Sequence, residues 1–403
     1  VRIASARDRA VAAERERTEE PWNSYLAQAR ASRATGRAGQ RFDSLAAIEK
    51  AARIHPSVET RNVAIASLAL FDARVARSWP RMHSRNATSA FDATLERNAC
   101  EVANGAISIR RIADQQEIAR LTGPGARVEY IYAFSPDGQY LAAKFVGGQT
   151  WMWRLADQRP LLKLEGNPRG GLGWSAFSAR TGLFAFSLPT GGVDVYRIAD
   201  LTAENATAPQ PWRHWAEPRH PQGLAFSPDG ERLAICDVAE GDRAPETREH
   251  AGGVQVRDVQ TGTQLWNWAN AAGVGTAYWN DDGTQLAAAS WDRNVHLLDP
   301  ATGRELRVLP GHRDAVSMAK FNHAGSRVAS VGLDGQLLFT DTRSGENLVS
   351  FPSAEPTFVF APDDRHLAVG VDDQTIGLLE IADSTVFTSL RPTNNPGRPT
   401  PGR

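Results

Sequence analysis

The stretches FSPDGQYLA (Phe134–Ala142) and FSPDGERLA (Phe226–Ala234) read as one object written twice: an aromatic, a tight reversal, then an apolar strand. Proline sets φ for a turn, aspartate bonds its own backbone, and glycine takes the positive φ that lets two antiparallel strands reverse. The unit is a hairpin. Outward from it, the same pattern recurs on Phe91, Phe134, Phe177, Phe226, Trp279, Phe321 and Phe360, at spacings of 43, 43, 49, 53, 42 and 39 residues. A second turn follows the apolar strand, as at Asp292-Arg293, Asp334-Gly335 and Asp373-Gln374, so each copy supplies four strands. Seven all-strand copies with a period near forty predict a mainly β fold, a seven-bladed β-propeller.

Composition agrees with such a core and narrows its partners. The 403 residues are 41% hydrophobic and 23% charged, ordinary for a globular protein and unlike a disordered or fibrous one. Against 45 Lys+Arg stand 46 Asp+Glu, and a formal charge of -1 offers no basic field for a phosphate backbone, so no nucleic acid is expected as partner. Two cysteines, Cys100 and Cys236, are too few for a disulfide-stapled scaffold or an all-thiolate zinc site, and they fall in equivalent strands of different copies. The longest apolar run, Val63–Phe71, is far short of the roughly 18 residues of a membrane span. A chain that opens on Val1 is expected to be a fragment of a longer polypeptide.

The copies WNDDGTQLAAASWDRNVHLLDPATGRELRVLPGH (Trp279–His312) and FNHAGSRVASVGLDGQLLFTDTRSGENLVSF (Phe321–Phe351) resemble the repeats of WD40 propellers. The Trp-Asp ending of that family survives in its Asp half at Arg257-Asp258, Leu298-Asp299 and Thr340-Asp341, with Leu379-Glu380 close, and its Gly-His appears at Gly311-His312. In the fullest copy His312, Ser330 and Asp334 match three members of the family's internal hydrogen-bond tetrad, while Thr340 stands at the Trp position. The resemblance implies a non-catalytic scaffold for a protein or peptide partner, with no cofactor. A narrower likeness runs through Trp22–Leu70, Arg97–Leu121 and Phe134–Phe145, which look like the region after the membrane span in certain bacterial membrane-anchored serine/threonine protein kinases. That likeness implies an alternative: an extracytoplasmic sensor or regulatory region, tethered to a membrane kinase upstream whose catalytic domain lies outside these residues. The compartment is periplasmic or extracytoplasmic on that reading and cytoplasmic on the first.

Ahead of the repeats, residues 1–71 read as an α-helical head. Residues 1–20 form a charged, solvated helix, a candidate juxtamembrane stalk; Pro21 interrupts it or opens the next helix, which carries Trp22, Tyr25, Leu26 and Ala29 on one face. A second helix is expected after the cap residues Asp43-Ser44 and a third over 58–70, which makes three beyond the leader. The propeller is assigned to 72–392 and a Pro- and Gly-rich disordered tail to 393–403. Ring closure stays open, because DARVARSW (Asp72–Trp79) and VFTSLRP (Val386–Pro392) both read as an outer strand, giving eight candidates for seven places.

No residue pattern supports chemistry. His312-Arg313-Asp314 spells the kinase catalytic-loop tripeptide, but Ala319 stands where magnesium needs an Asn. No phosphate loop, nucleophile–base pair or metal-ligand spacing is assigned. The functional signal lies in two irregular stretches, Leu201–Gly223 and Val238–Gly253, which lengthen the third and fourth copies and are expected to emerge side by side on one face. They carry Trp212, Arg213, His214, Trp215, Arg219, His220, Arg243, Arg248 and His250, a candidate partner-binding patch, since Trp and Arg are enriched at interface anchors. The competing explanation is that Trp212 and Trp215 pack a long loop onto its blade.

Overall fold

A computed structural model describes residues 2–80, 89–164, 174–188, 191–202, 209–216, 221–238, 252–354, 357–372 and 374–383, without side chains for residues 2–16. Every anchoring aromatic named above is the last residue of the first strand of a four-stranded antiparallel sheet, and there are seven such sheets. The blades span residues 90–121, 128–164, 175–215, 221–270, 274–309, 316–352 and 358–382. From blade one to blade six, successive first strands pack against one another.

The residue after the aromatic explains why the hairpin repeats. Its side-chain oxygen accepts the backbone N–H five positions on: Asp92 from Arg97 (3.0 Å), Ser135 from Tyr140 (2.9 Å), Ser227 from Arg232 (2.9 Å), Asn280 from Gln285 (2.8 Å) and Asn322 from Arg327 (2.8 Å). Three residue types perform one task, closing the turn where the sheet has no partner for that N–H. Gly138 and Gly230 take φ of 66° and 76° at the reversal. The surviving Asp half of the repeat ending does equivalent work at the next turn but one: Asp258, Asp299 and Asp341 accept the N–H groups of Thr261, Ala301 and Ser344 at 2.7–2.8 Å.

Register exposes a second repeat. The position before the aromatic faces an alanine of the second strand in all seven blades: Ala90 faces Ala99, Ala133 faces Ala142, Ala176 faces Ala185, Ala225 faces Ala234, Tyr278 faces Ala287, Lys320 faces Ala329 and Val359 faces Ala368. All seven second-strand alanines are wholly buried. Radial sheets converge toward the axis, and at this depth a methyl group fills the gap between blades. Farther out the gap widens and takes Trp153 and Trp266, both buried between neighbouring sheets.

Ring closure is settled by the seventh sheet. Asp72–Pro80 is its outer strand, next to Thr375–Ala382, so the two ends of the propeller close it together and no blade is left with a missing edge. The competing strand Val386–Pro392 and the tail 393–403 lie outside the described residues.

Among the described residues, those up to Arg74 together with Ile381–Asp383 form one compact unit, and those within Val75–Glu380 the other. In the first, α1 (Arg2–Arg33) is continuous through Pro21, so the leader and the first expected helix are one. The missing proline N–H costs a single hydrogen bond, outweighed by the packing of Trp22, Tyr25, Leu26 and Ala29 against the next two helices. Those are α2 (Gln40–Ile54) and α3 (Val58–Leu68). Asp43-Ser44 do not cap α2, which starts at Gln40. The wholly buried Asp72 carboxylate caps it instead, accepting from Gly39 (2.8 Å), Arg41 (2.7 Å) and Phe42 (3.3 Å). Ser44 is left to bond Ala29 and Ser67 in the helical core. No helix among the described residues is long and apolar enough to cross a membrane.

Candidate binding site

The first strands enclose an axial cavity of about 320 Å³, to which every blade contributes. It follows from the register above. Four of the seven positions before the anchoring aromatic are alanine, which leaves the axis open, and blades five and six place Tyr278 and Lys320 there instead. The wall is aromatic: Tyr130 stands 5.5 Å from Tyr132 and 5.8 Å from Trp174, centroid to centroid. Exposed Ala93 and Pro136, on the turns after the first strands of blades one and two, belong to the same wall, so the cavity reaches that face.

Lys320 is the one charged side chain lining it among the described residues. Its ammonium donates to the Phe358 carbonyl (3.3 Å) and lies 4.7 Å from the Tyr278 ring centroid and 5.8 Å from that of Phe358. Burial pushes its pKa down to about 8. In the same wall Trp174 Nε1 and Ser175 Oγ are buried without a hydrogen-bond partner. Sequence reading passed over all of these, because one lysine near a strand end looks like surface. Comparing the seven equivalent positions would have singled it out.

Two polar networks centre on His312 and His296. His312 Nε2 is 2.9 Å from Ser330 Oγ and its Nδ1 3.1 Å from Asp334 Oδ1, while Asp334 also accepts the Arg313 N–H (2.8 Å). Burial alone would raise the Asp334 pKa, but that amide and the imidazole hold it below the usual carboxylate value. Thr340, at the Trp position, bonds Asn347 instead (2.8 Å), so the network ends at three members. Arg313 and Asp314 of the kinase-like tripeptide fall in this inter-blade connection.

Blade five keeps the aspartate and moves the histidine. Asp292 accepts from Asn270 (2.9 Å) and lies 2.9 Å from His296 Nε2, whose Nδ1 is 2.7 Å from Glu305. Burial opposes charge on His296, but the two carboxylates outweigh it and raise its pKa; a raised value means the stabilisation is complete below the ordinary histidine pKa and lost as pH climbs through the folded one. Asp292, held well below the carboxylate range despite its burial, is ionised throughout that window. His296→Gln is therefore expected to cost roughly 1.5–3 kcal/mol at pH 6, with the gap to the parent chain narrowing toward pH 9 in paired urea melts. Each imidazole nitrogen is occupied by a carboxylate, and no group of three His, Cys, Asp or Glu side chains among the described residues is arranged to hold a metal ion.

The patch expected from the two irregular stretches is divided. Arg213–Trp215 is the outer strand of blade three, with Trp215 opposite Val193, His214 opposite Asp194 and Arg213 opposite Val195. Trp215 is buried among Leu183, Val193, Val195 and Leu233. Trp212 lies half-buried between the guanidinium groups of Arg197 (4.3 Å) and Arg213 (4.8 Å), and His214 Nδ1 meets Asp194 at 2.7 Å. Arg219, His220, Arg243, Arg248 and His250 lie outside the described residues. The expected adjacency of the two stretches turns on residues 203–208, 217–220 and 239–251, which lie outside the described residues. Cys100 and Cys236 are free, buried thiols whose pKa values burial pushes up, which leaves them unreactive.

Comparison with known proteins agrees with this architecture. Residues 262–299 and 303–341 match the family model described as WD domain, G-beta repeat, each match running from an outer strand into the first three strands of the next blade. A stretch of 125 residues is 26% identical to Autophagy-related protein 16 of Arabidopsis thaliana, covering 28% of this chain and 24% of that protein. The chain thus spans about a quarter of that relative's length.

Proposed function

We propose that this chain, which carries WD40 repeats on a closed seven-bladed ring, is a non-catalytic scaffold that captures a protein or peptide partner at its axial cavity. One observation carries the reading: an opening of about 320 Å³ to which all seven blades contribute and whose wall holds nine aromatic residues among twenty-two. Cavities of this kind, near the lower end of the ~300–1,000 Å³ of ligand sites, take a side chain or chain end rather than a folded surface. The matches to WD domain repeats support the scaffold class. They lend nothing to tethering by a membrane kinase, and the Arg213–Trp215 strand is a weaker candidate because the Trp215 ring is committed to packing.

The test is a panning of random phage-displayed peptides on the immobilised chain, with Ala93→Trp as comparator. Ala93 is exposed at the cavity mouth, so an indole there obstructs entry without entering the core. Enriched peptides should lose at least ten-fold in affinity for Ala93→Trp. Peptides that bind both proteins alike, or no enrichment, would overturn the reading.

A further inference from the structure

We propose that the axial cavity is an anion site, built for a carboxylate on an apolar or aromatic body, with Lys320 as the group that recognises the charge. The proposal rests on the preceding reading of the cavity as the capture site and adds the chemistry of what enters it.

The fold does not need a lysine at position 320. At the same register the other blades carry Ala90, Ala133, Ala176, Ala225, Tyr278 and Val359, each facing the same buried alanine, so the pairing tolerates a methyl group or a neutral ring. An ammonium there is expensive, since burial strips its water and returns one carbonyl and two ring faces. An ammonium carries three donors, and only the one to Phe358 is spent on a protein oxygen. Charged neighbours do not explain it either: no carboxylate stands against it among the described residues, whereas Lys144 has Glu129 at 3.3 Å.

The rest of the wall has the same bias. Among the described lining residues there is no aspartate, glutamate or histidine to compete for the ammonium. The orphaned Trp174 Nε1 hydrogen adds a further idle donor in this part of the ring, and the unpartnered Ser175 hydroxyl can donate as well as accept. The complement of such a wall is acceptor-rich and negative at one end, flat and apolar at the other. A carboxylate fits this description: it offers two oxygens to the idle ammonium hydrogens and restores the charge balance that burial removed. A free organic acid and the terminal carboxylate of a peptide present the same group, and the experiment separates them.

Calorimetric titration with 1-naphthylacetate, its neutral isostere 1-naphthylacetamide, and an N-acetyl pentapeptide ending in Phe with either a free or an amidated C-terminus provides the test. The parent chain should prefer acid to amide by ten-fold or more in at least one pair. The naphthyl pair identifies a small-acid site and the peptide pair a chain-end site. Lys320→Met should abolish the preference and Lys320→Arg should retain part of it. Acid and amide bound alike, both blocked by Ala93→Trp, would sink the anion assignment while leaving the capture site standing. Probes that bind neither the parent nor any variant would overturn the anion assignment, and the peptide panning then judges the capture site separately. Should Lys320→Met fail to fold, the acid-over-amide ratio of the parent chain and of Lys320→Arg decides alone.

Discussion

Trp215→Ala is expected to destabilise the propeller by about 3–5 kcal/mol, the range for truncating a buried tryptophan. The ring sits on the outer strand of blade three, is 8% exposed, and fills the space over Val193 and Val195 toward Leu224 and Leu233 of blade four. Its removal opens a cavity at an interface between two sheets, where neither can collapse without shifting the ring. Trp212→Ala should cost far less. Its half-buried ring loses two guanidinium contacts, worth about 0.5–1 kcal/mol each at a partly exposed site. Urea denaturation of the two single variants distinguishes packing from recognition. A Trp215→Ala chain with an unchanged midpoint and lost partner capture would restore the outer strand as the recognition surface.

That contrast shows which parts of the molecule are readable in one dimension. The hairpins are legible because their logic is local: Ser135 and Asn280 each satisfy an N–H five residues away, and any reader of turn chemistry can find them. The helical head is legible except at its seams. α2 takes its cap from Asp72, more than thirty residues on, and local rules therefore chose Asp43-Ser44 in error. Ring closure is non-local altogether, since Asp72–Pro80 pairs with a strand near the other end of the chain and its own pattern is that of any outer strand. The strand Arg213–Trp215 is three residues long after a lengthy connection, too short for alternation to register, and it reads as loop. Lys320 was legible only by alignment of the chain against itself, where it is the one charged residue in a column of four alanines, a tyrosine and a valine.

The same self-alignment yields the second large effect. Ala142→Phe is expected to cost at least 3 kcal/mol, at or above the top of the ~1–3 kcal/mol typical of overpacking by a few methylenes. Ala142 has no exposed surface and abuts Met152, Phe184 and Phe186, so a benzyl group has nowhere to go except between blades two and three. In an open sheet the strand would move outward to admit it. In a closed ring, widening one gap must narrow another, and the other six alanines of the same tier are equally buried. The strain is therefore shared around the circle instead of relaxing locally, and Ala142→Gly, which only removes a methyl group and adds chain entropy, should cost about 1 kcal/mol. Thermal melts of the two variants measure the asymmetry directly. If Ala142→Phe melted with the parent chain, the blades would have to separate at little cost, and the axial cavity would then be an adjustable gap with no fixed size to select a ligand.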